Sequence, residues 1–194
     1  MYRYISILLF ICLGCNDIEV FSDKHCSNST CNHFDDTDFE EFELLNSNYF
    51  EDRDTIYIPD NLKSIDNFLK ENVDKTIFFK RKTYSLDPFR LNSNQQLIIP
   101  YGAYIKLDDQ ANLPFKGGYF IAAEGSFDKR LDNVKLLING TLDGNKKIHS
   151  YDKSGNEGVT FRFIDNSYIG GSGTIRNFSG DGIDIDYATN LIIN

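Results

Sequence analysis

GVTFRFIDN (158–166) is followed 24 residues later by GIDIDYATN (182–190). Laid side by side, the two stretches set Val159 over Ile183, Phe161 over Ile185, Phe163 over Tyr187 and Asn166 over Asn190. Apolar and polar positions alternate with the period of a strand. A repeat of this length, made of short alternating strands broken by Gly and Asn, is the sequence signature of a parallel β-helix.

The repeat extends backward. NVKLLINGTLDGN (133–145) aligns with NSYIGGSGTIRNF (166–178) at an offset of 33, pairing Leu136 with Ile169 and Gly140-Thr141 with Gly173-Thr174. The additional residues are assigned to a surface insertion around HSYDKSGNE (149–157), which a coil tolerates at modest entropic cost. QQLIIPYGAYIKL (95–107) reads as an earlier coil. Strand-like segments run from TIFFK (76–80) through GYFIAA (118–123) to LIIN (191–194), separated by Asn, Gly, Asp and Ser. Ahead of them, NLKSIDNFLKENVDK (61–75) puts Leu62, Ile65, Phe68, Leu69 and Val73 on one helical face, with Asp60 or Asn61 as N-cap. The expected fold is therefore all-β, a solenoid with a short N-terminal capping helix. A closed antiparallel barrel would lack this register. Asn133, Asn166 and Asn190 recur at one phase and are expected to form a structural ladder across the turns.

The chain begins MYRYISILLFICLGC (1–15), with Arg3, an apolar run and Gly14-Cys15. That run is too short to span a bilayer as a mature helix and reads as an export signal. Its end resembles a bacterial lipobox, with Cys15 lipidated and Cys12 standing where Leu or Val is usual. Localisation is then the outer membrane or cell surface through a lipid anchor; an ordinary secretory signal would release the protein instead. Residues 16–54 hold twelve acids against Lys24 and Arg53 and are expected to form a flexible tether. Of the 29 acids and 20 bases, seventeen of each remain in 55–194, so the net charge of −9 belongs to the tether. A neutral body does not repel an anionic polysaccharide. No basic stripe with interleaved aromatics points to nucleic acid. Cys26 and Cys31, flanked by His25 and His33, suit a small disulfide loop in an exported chain; zinc is the alternative.

Three passages carry a family resemblance: DNLKSIDNFLKENVDKTIFFKRKTYSL (60–86), LNSNQQLIIPYGAYIKLDD (91–109) and INGTLDGN (138–145). Together they resemble right-handed parallel β-helix proteins of the pectate-lyase-like superfamily, especially polygalacturonase-like glycoside hydrolases. The resemblance covers roughly 55–194 and implies an exported enzyme that hydrolyses an acidic polysaccharide without a cofactor. A polysaccharide lyase or epimerase on the same fold, for which groove Asp residues often bind Ca²⁺, is the nearest competitor. A non-catalytic glycan-binding or adhesin module is the rival from another class.

Glycoside hydrolysis needs two carboxyl groups flanking the scissile bond. SGDGIDIDY (179–187) offers Asp181, Asp184 and Asp186 as catalytic candidates, because inward Ile183 and Ile185 turn Asp184 and Asp186 to solvent. Arg162 and Asp143 are the substrate-binding candidates. A structural role competes: Arg162 lies one coil below Asp186, about 4.8 Å away in backbone terms, within reach of a cross-coil ion pair. Asp143 in TLDGN and Asp181 before Gly182 also suit turn formation. Set against the polygalacturonase "NTDG" motif, GDGIDI falls one coil early, with Ser179-Gly180 where Asn-Thr should stand. The family's paired Asp block, "GHG" His and "R.K" clamp do not appear, and His149 reads as a loop residue. With LIIN exposing an apolar edge, 1–194 is expected to be the N-terminal portion of a longer solenoid or a truncated gene product, aggregating and hydrolytically inactive by itself.

Overall fold

The computed structural model describes residues 49–111, 118–149 and 156–194. The export signal with Cys15, the Cys26–Cys31 pair and most of the acidic tether lie outside the described residues. The chain opens with β1 (Thr55–Tyr57) and α1 (Asp66–Glu71), followed by β2 (Thr76–Phe78), β3 (Thr83–Leu86) and β4 (Phe89–Arg90). Next come β5 (Gln96–Ile99), β6 (Tyr104–Leu107) and β7 (Gly118–Glu124), then β8 (Leu131–Asp132), β9 (Lys135–Ile138), β10 (Thr141–Asp143) and β11 (Asn156–Asp165). The last described strands are β12 (Tyr168–Gly170), β13 (Thr174–Arg176), β14 (Ile183–Thr189) and β15 (Ile192–Ile193).

These strands form three sheets. Sheet A has the order β1-β2-β5-β9-β12-β15, sheet B β13-β10-β6-β3 and sheet C β14-β11-β7-β4, with β8 joining β11. The chain visits A, B and C in turn, and all the pairings between described strands are parallel. The protein is all-β, and an antiparallel barrel is excluded.

Inward positions stack in columns. Sheet A contributes Ile77, Leu97, Leu136 and Ile169. Sheet B contributes Tyr84, Ile105, Leu142 and Ile175. Sheet C contributes Phe89, Ile121, Val159 and Ile183, with Ala123, Phe161 and Ile185 beside them. Their buried members form one apolar cluster shared by all three sheets. At about 1.5–3 kcal/mol for each fully buried large aliphatic or aromatic side chain, this cluster is the main stabilising term. The 24-residue alignment is the observed register, Val159 on Ile183 and Phe161 on Ile185. The 33-residue alignment is observed too, Leu136 on Ile169 and Thr141 on Thr174. Gly140 and Gly173 recur because successive backbone segments touch there: a Cβ would meet the Ala103 oxygen at 2.4 Å and the Gly140 oxygen at 2.3 Å.

The asparagine ladder is present and longer than expected. Asn94, Asn133, Asn166 and Asn190 all have left-handed backbones, at φ 63°, 56°, 47° and 51°. Asn133 Nδ2 donates to Asn94 Oδ1 and Asn190 Nδ2 to Asn166 Oδ1, at 3.2 and 3.0 Å. Asn166 Nδ2 donates instead to Asp132 Oδ1.

Two expectations need correction. The helix is shorter than its apolar face suggested, and Ile65, not Asp60 or Asn61, stands at its N-cap without a side-chain cap bond. Asp60 is drawn away by Lys82 and Lys80, at 2.7 and 3.6 Å, and the Lys63 carbonyl accepts the Asp87 N–H. The expected tether also ends earlier than residue 54. Tyr49 stacks on Tyr168 with ring centres 4.6 Å apart, and Phe50 meets the same ring edge-on. Glu51 exchanges hydrogen bonds with Gln96 and pairs with Lys135 at 3.0 Å, so 49–51 lie on the outward face of sheet A.

Candidate functional site

Alternation on sheet C turns every second side chain outward, and the register lines these up across strands. Arg90, Ala122, Thr160 and Asp184 form one row and Glu124, Arg162 and Asp186 the next, while Tyr119 lies beside Glu157 three residues earlier, outside that alternation, with Phe120 and Ile121 both in the core. Arg162 is the hub of this face. Its Nη1 reaches Glu124 Oε1 at 3.2 Å, its Nη2 Asp184 Oδ2 at 2.9 Å and its Nε Asp186 Oδ2 at 3.0 Å. Burial alone would lower the Arg162 pKa, but Asp184, Asp186 and Glu124 hold it above its ordinary value. The carboxylates are part-exposed, so each pair contributes about 0–1 kcal/mol, and the network fixes geometry more than it stabilises.

Glu157 differs from its neighbours. Burial pushes its carboxyl up from the ordinary value, and the charges of Asp184 and Asp181 add to that push. A carboxyl group biased toward its protonated form can donate a hydrogen bond or a proton where ionised carboxylates cannot. At the other end of the sheet, Arg90 hydrogen-bonds the Tyr119 hydroxyl and lies 5.3 Å from that ring's centre. Both line a cleft of about 450 Å³ with Lys63, Asp66, Lys70 and Asp87. Lys63 is engaged by Asp108 at 2.9 Å and Asp87 at 3.6 Å. Lys70 makes no ion pair among the described residues.

The structure brings Asp184, Asp186 and Arg162 together, through the cross-coil pairing the repeat implied. Asp181 lies in the turn before β14, where its carbonyl accepts the Gly158 N–H at 2.9 Å. Asp143 is elsewhere, on sheet B, and only 5% exposed. It accepts from Tyr104 Oη at 2.6 Å, Asn177 Nδ2 at 2.9 Å, Arg176 Nε at 3.1 Å and the Asn145 N–H at 2.9 Å. Burial would raise its pKa; these donors outweigh that and lower it. Three of these donors converge on Oδ2 and one reaches Oδ1, so the nearly buried Asp143 ties a corner together. His149 sits with Nε2 2.7 Å from the Asp108 carbonyl oxygen, tying its loop to sheet B.

Sequence reasoning missed Glu157, Glu124, Arg90 and Tyr119. For Glu157 the signal was present: the 24-residue offset sets it directly over Asp181. Arg90 gave no signal, because β4 is two residues long. Among the described residues, no group of three or more His, Cys, Asp or Glu is arranged to hold a metal ion. Comparison of the chain with known protein families, with characterised proteins and with solved structures found no match.

Proposed function

We propose that the three parallel sheets are the walls of a right-handed parallel β-helix of the pectate-lyase-like, polygalacturonase-like kind, exported from the cell. The outward face of sheet C is its polysaccharide-engaging surface, and acidic polysaccharide is its substrate class. One observation carries this reading: Arg90, Arg162, Asp184 and Asp186 occupy outward positions of one sheet, with Tyr119 and Glu157 paired on its adjacent strands and a cleft opening at Arg90 and Tyr119. Sugar recognition uses such planar polar groups, held in place by one another. Lys70 in the cleft is the cation left to meet a uronate carboxylate. Glu124, Asp184 and Asp186 are all engaged by Arg162, so binding is the activity this face supports first. A lyase or epimerase on the same fold would need a base placed near the sugar ring.

A second reading, cleavage by this chain itself, is favoured by Glu157. Burial biases Glu157 toward its protonated form and the Asp184 charge adds to that bias, the kind of environment that an acid in glycoside hydrolysis requires. Calorimetric titration with galacturonate oligomers, run alongside a reducing-end assay, separates the two. Binding that weakens about tenfold in Lys70→Ala, without release of reducing ends, is the expected result. Reducing ends that disappear in Glu157→Gln would establish the second reading. Absence of binding to acidic oligomers would overturn both.

A further inference from the structure

Sheet C carries an anomaly at its C-terminal end. Val159 and Phe161 point inward, so alternation would send Phe163 inward as well. Instead Phe163 and Tyr187 adopt left-handed backbones, at φ 51° and 53°. That region is rare for bulky side chains, and strain of this kind is held where surrounding structure enforces it. The pairing passes from Arg162–Asp186 directly to Ile164–Ala188. The consequence is a change of phase: Ile164 takes the core position with no exposure, and the two aromatic rings are displaced from it. They stack on each other with centres 4.6 Å apart and planes within 4°. Tyr187 is 69% exposed. A sequence that wanted only a filled core would have kept these rings inside.

A second exposed ring borders the same corner. Phe127, 82% exposed, rides on the Ser126–Lys129 turn. That turn is pinned to the stack from both sides. The Gly125 N–H donates to the Arg162 carbonyl at 2.9 Å, and Arg130 Nη2 donates to the Tyr187 carbonyl at 2.5 Å while its Nε holds Asp165 at 2.8 Å. Arg162 and Asp186, which immediately precede Phe163 and Tyr187 in sequence, place charged hydrogen-bonding groups alongside.

We propose that Tyr187 and Phe127 form a sugar-stacking platform at this end of sheet C. The apolar C–H face of a pyranose ring lies on the aromatic surface, and its hydroxyl groups meet Arg162 and Asp186. An amphipathic ring fixed by backbone strain loses little conformational freedom on binding, which suits it to a weakly polar, flat ligand. This inference rests on the polysaccharide reading for its ligand class and is neutral as to whether the sugar is charged.

Affinity electrophoresis of the full chain, through gels cast with polygalacturonate or with a neutral β-glucan, tests it. Tyr187→Ala and Phe127→Ala should each reduce retardation about tenfold in whichever gel retards the wild type, while Tyr187→Phe keeps it. Phe127→Ala is the cleaner variant, because its ring is almost fully exposed and its loss leaves the core intact. Unchanged retardation in both alanine variants, with only the melting temperature of Tyr187→Ala falling, would assign the stack a purely structural role and overturn the platform. A wild type retarded by neither polysaccharide would overturn it as well. Lys70→Ala separates the two proposals. Loss of retardation in polygalacturonate from Lys70→Ala alone sinks the platform and keeps the acidic face; loss from Phe127→Ala alone does the reverse.

Discussion

A residue at a left-handed corner must tolerate that backbone and also satisfy the polar groups the turn exposes. Asn166 does both. Its φ is 47°, its amide nitrogen donates to Asp132 at 2.8 Å, and its amide oxygen accepts from Asn190 at 3.0 Å. Asn is among the few L-residues that visit this region readily, and its short amide reaches the neighbouring coil. Asn166→Ala should therefore lower stability by about 1–2 kcal/mol in urea unfolding, combining a left-handed alanine with two lost hydrogen bonds. Asn166→Gly should lose less, because glycine keeps the conformation. An equal loss in both variants would mean that the backbone term contributes nothing. The ladder was readable from recurrence alone, since identical corners impose identical demands. Asp143 was not readable in this way. Its turn-forming motif was plain, but the Tyr104 and Arg176 donors that hold it come from the neighbouring strands β6 and β13.

Among elements, the segment 49–54 departs most from its sequence pattern. Its acidity suggested a solvated spacer, yet Glu51 is the centre of a dock on sheet A. Arg53, Asn133 and Lys135 lower its pKa from the ordinary 4.5 to about 2, in that order of importance. A depressed carboxyl pKa contributes stability that is present above the unfolded value and lost as pH falls through the folded one. Docking of 49–54 should thus hold above about pH 4.5 and weaken progressively as pH falls toward about 2. The ring signals of Tyr49 and Tyr168, followed by NMR over that range, should lose their mutual shielding together. Glu51→Gln should abolish the pH dependence; a Gln variant with the same acid transition would place the titrating group elsewhere. The capping helix teaches a related lesson. Its apolar spacing found Ile65 and Leu69, both fully buried, but spacing does not reveal that Asp60 and Lys63 are claimed by Lys82 and Asp108, at the ends of β3 and β6.

At the scale of the whole molecule, each strand pairs with parallel neighbours in one of three sheets, so stability should be distributed along the chain. Phe161, with no exposed surface, is sandwiched between Ala123 and Ile185. Phe161→Ala should cost about 3–5 kcal/mol, through lost transfer energy and the cavity left behind. Because β11 pairs with β7 and β14, amide exchange should accelerate first in these three strands, while β2 and β5 keep their protection. Uniform acceleration along the chain would show instead that the three sheets unfold as one cooperative unit.

The sequence by itself determined the strands, their parallel register and the asparagine corners, because each repeats at fixed spacing and a repeated pattern is visible in one dimension. It also determined that Arg162 lies under Asp186. Only the tertiary structure decided that the same arginine gathers Glu124 and Asp184, that Glu157 is desolvated beside them, and that Asp143 is removed to another sheet. It alone shows Phe163 and Tyr187 turned away from the core their pattern assigned them. These outcomes depend on which groups share a neighbourhood, and burial and charge act through space between residues that no spacing rule connects.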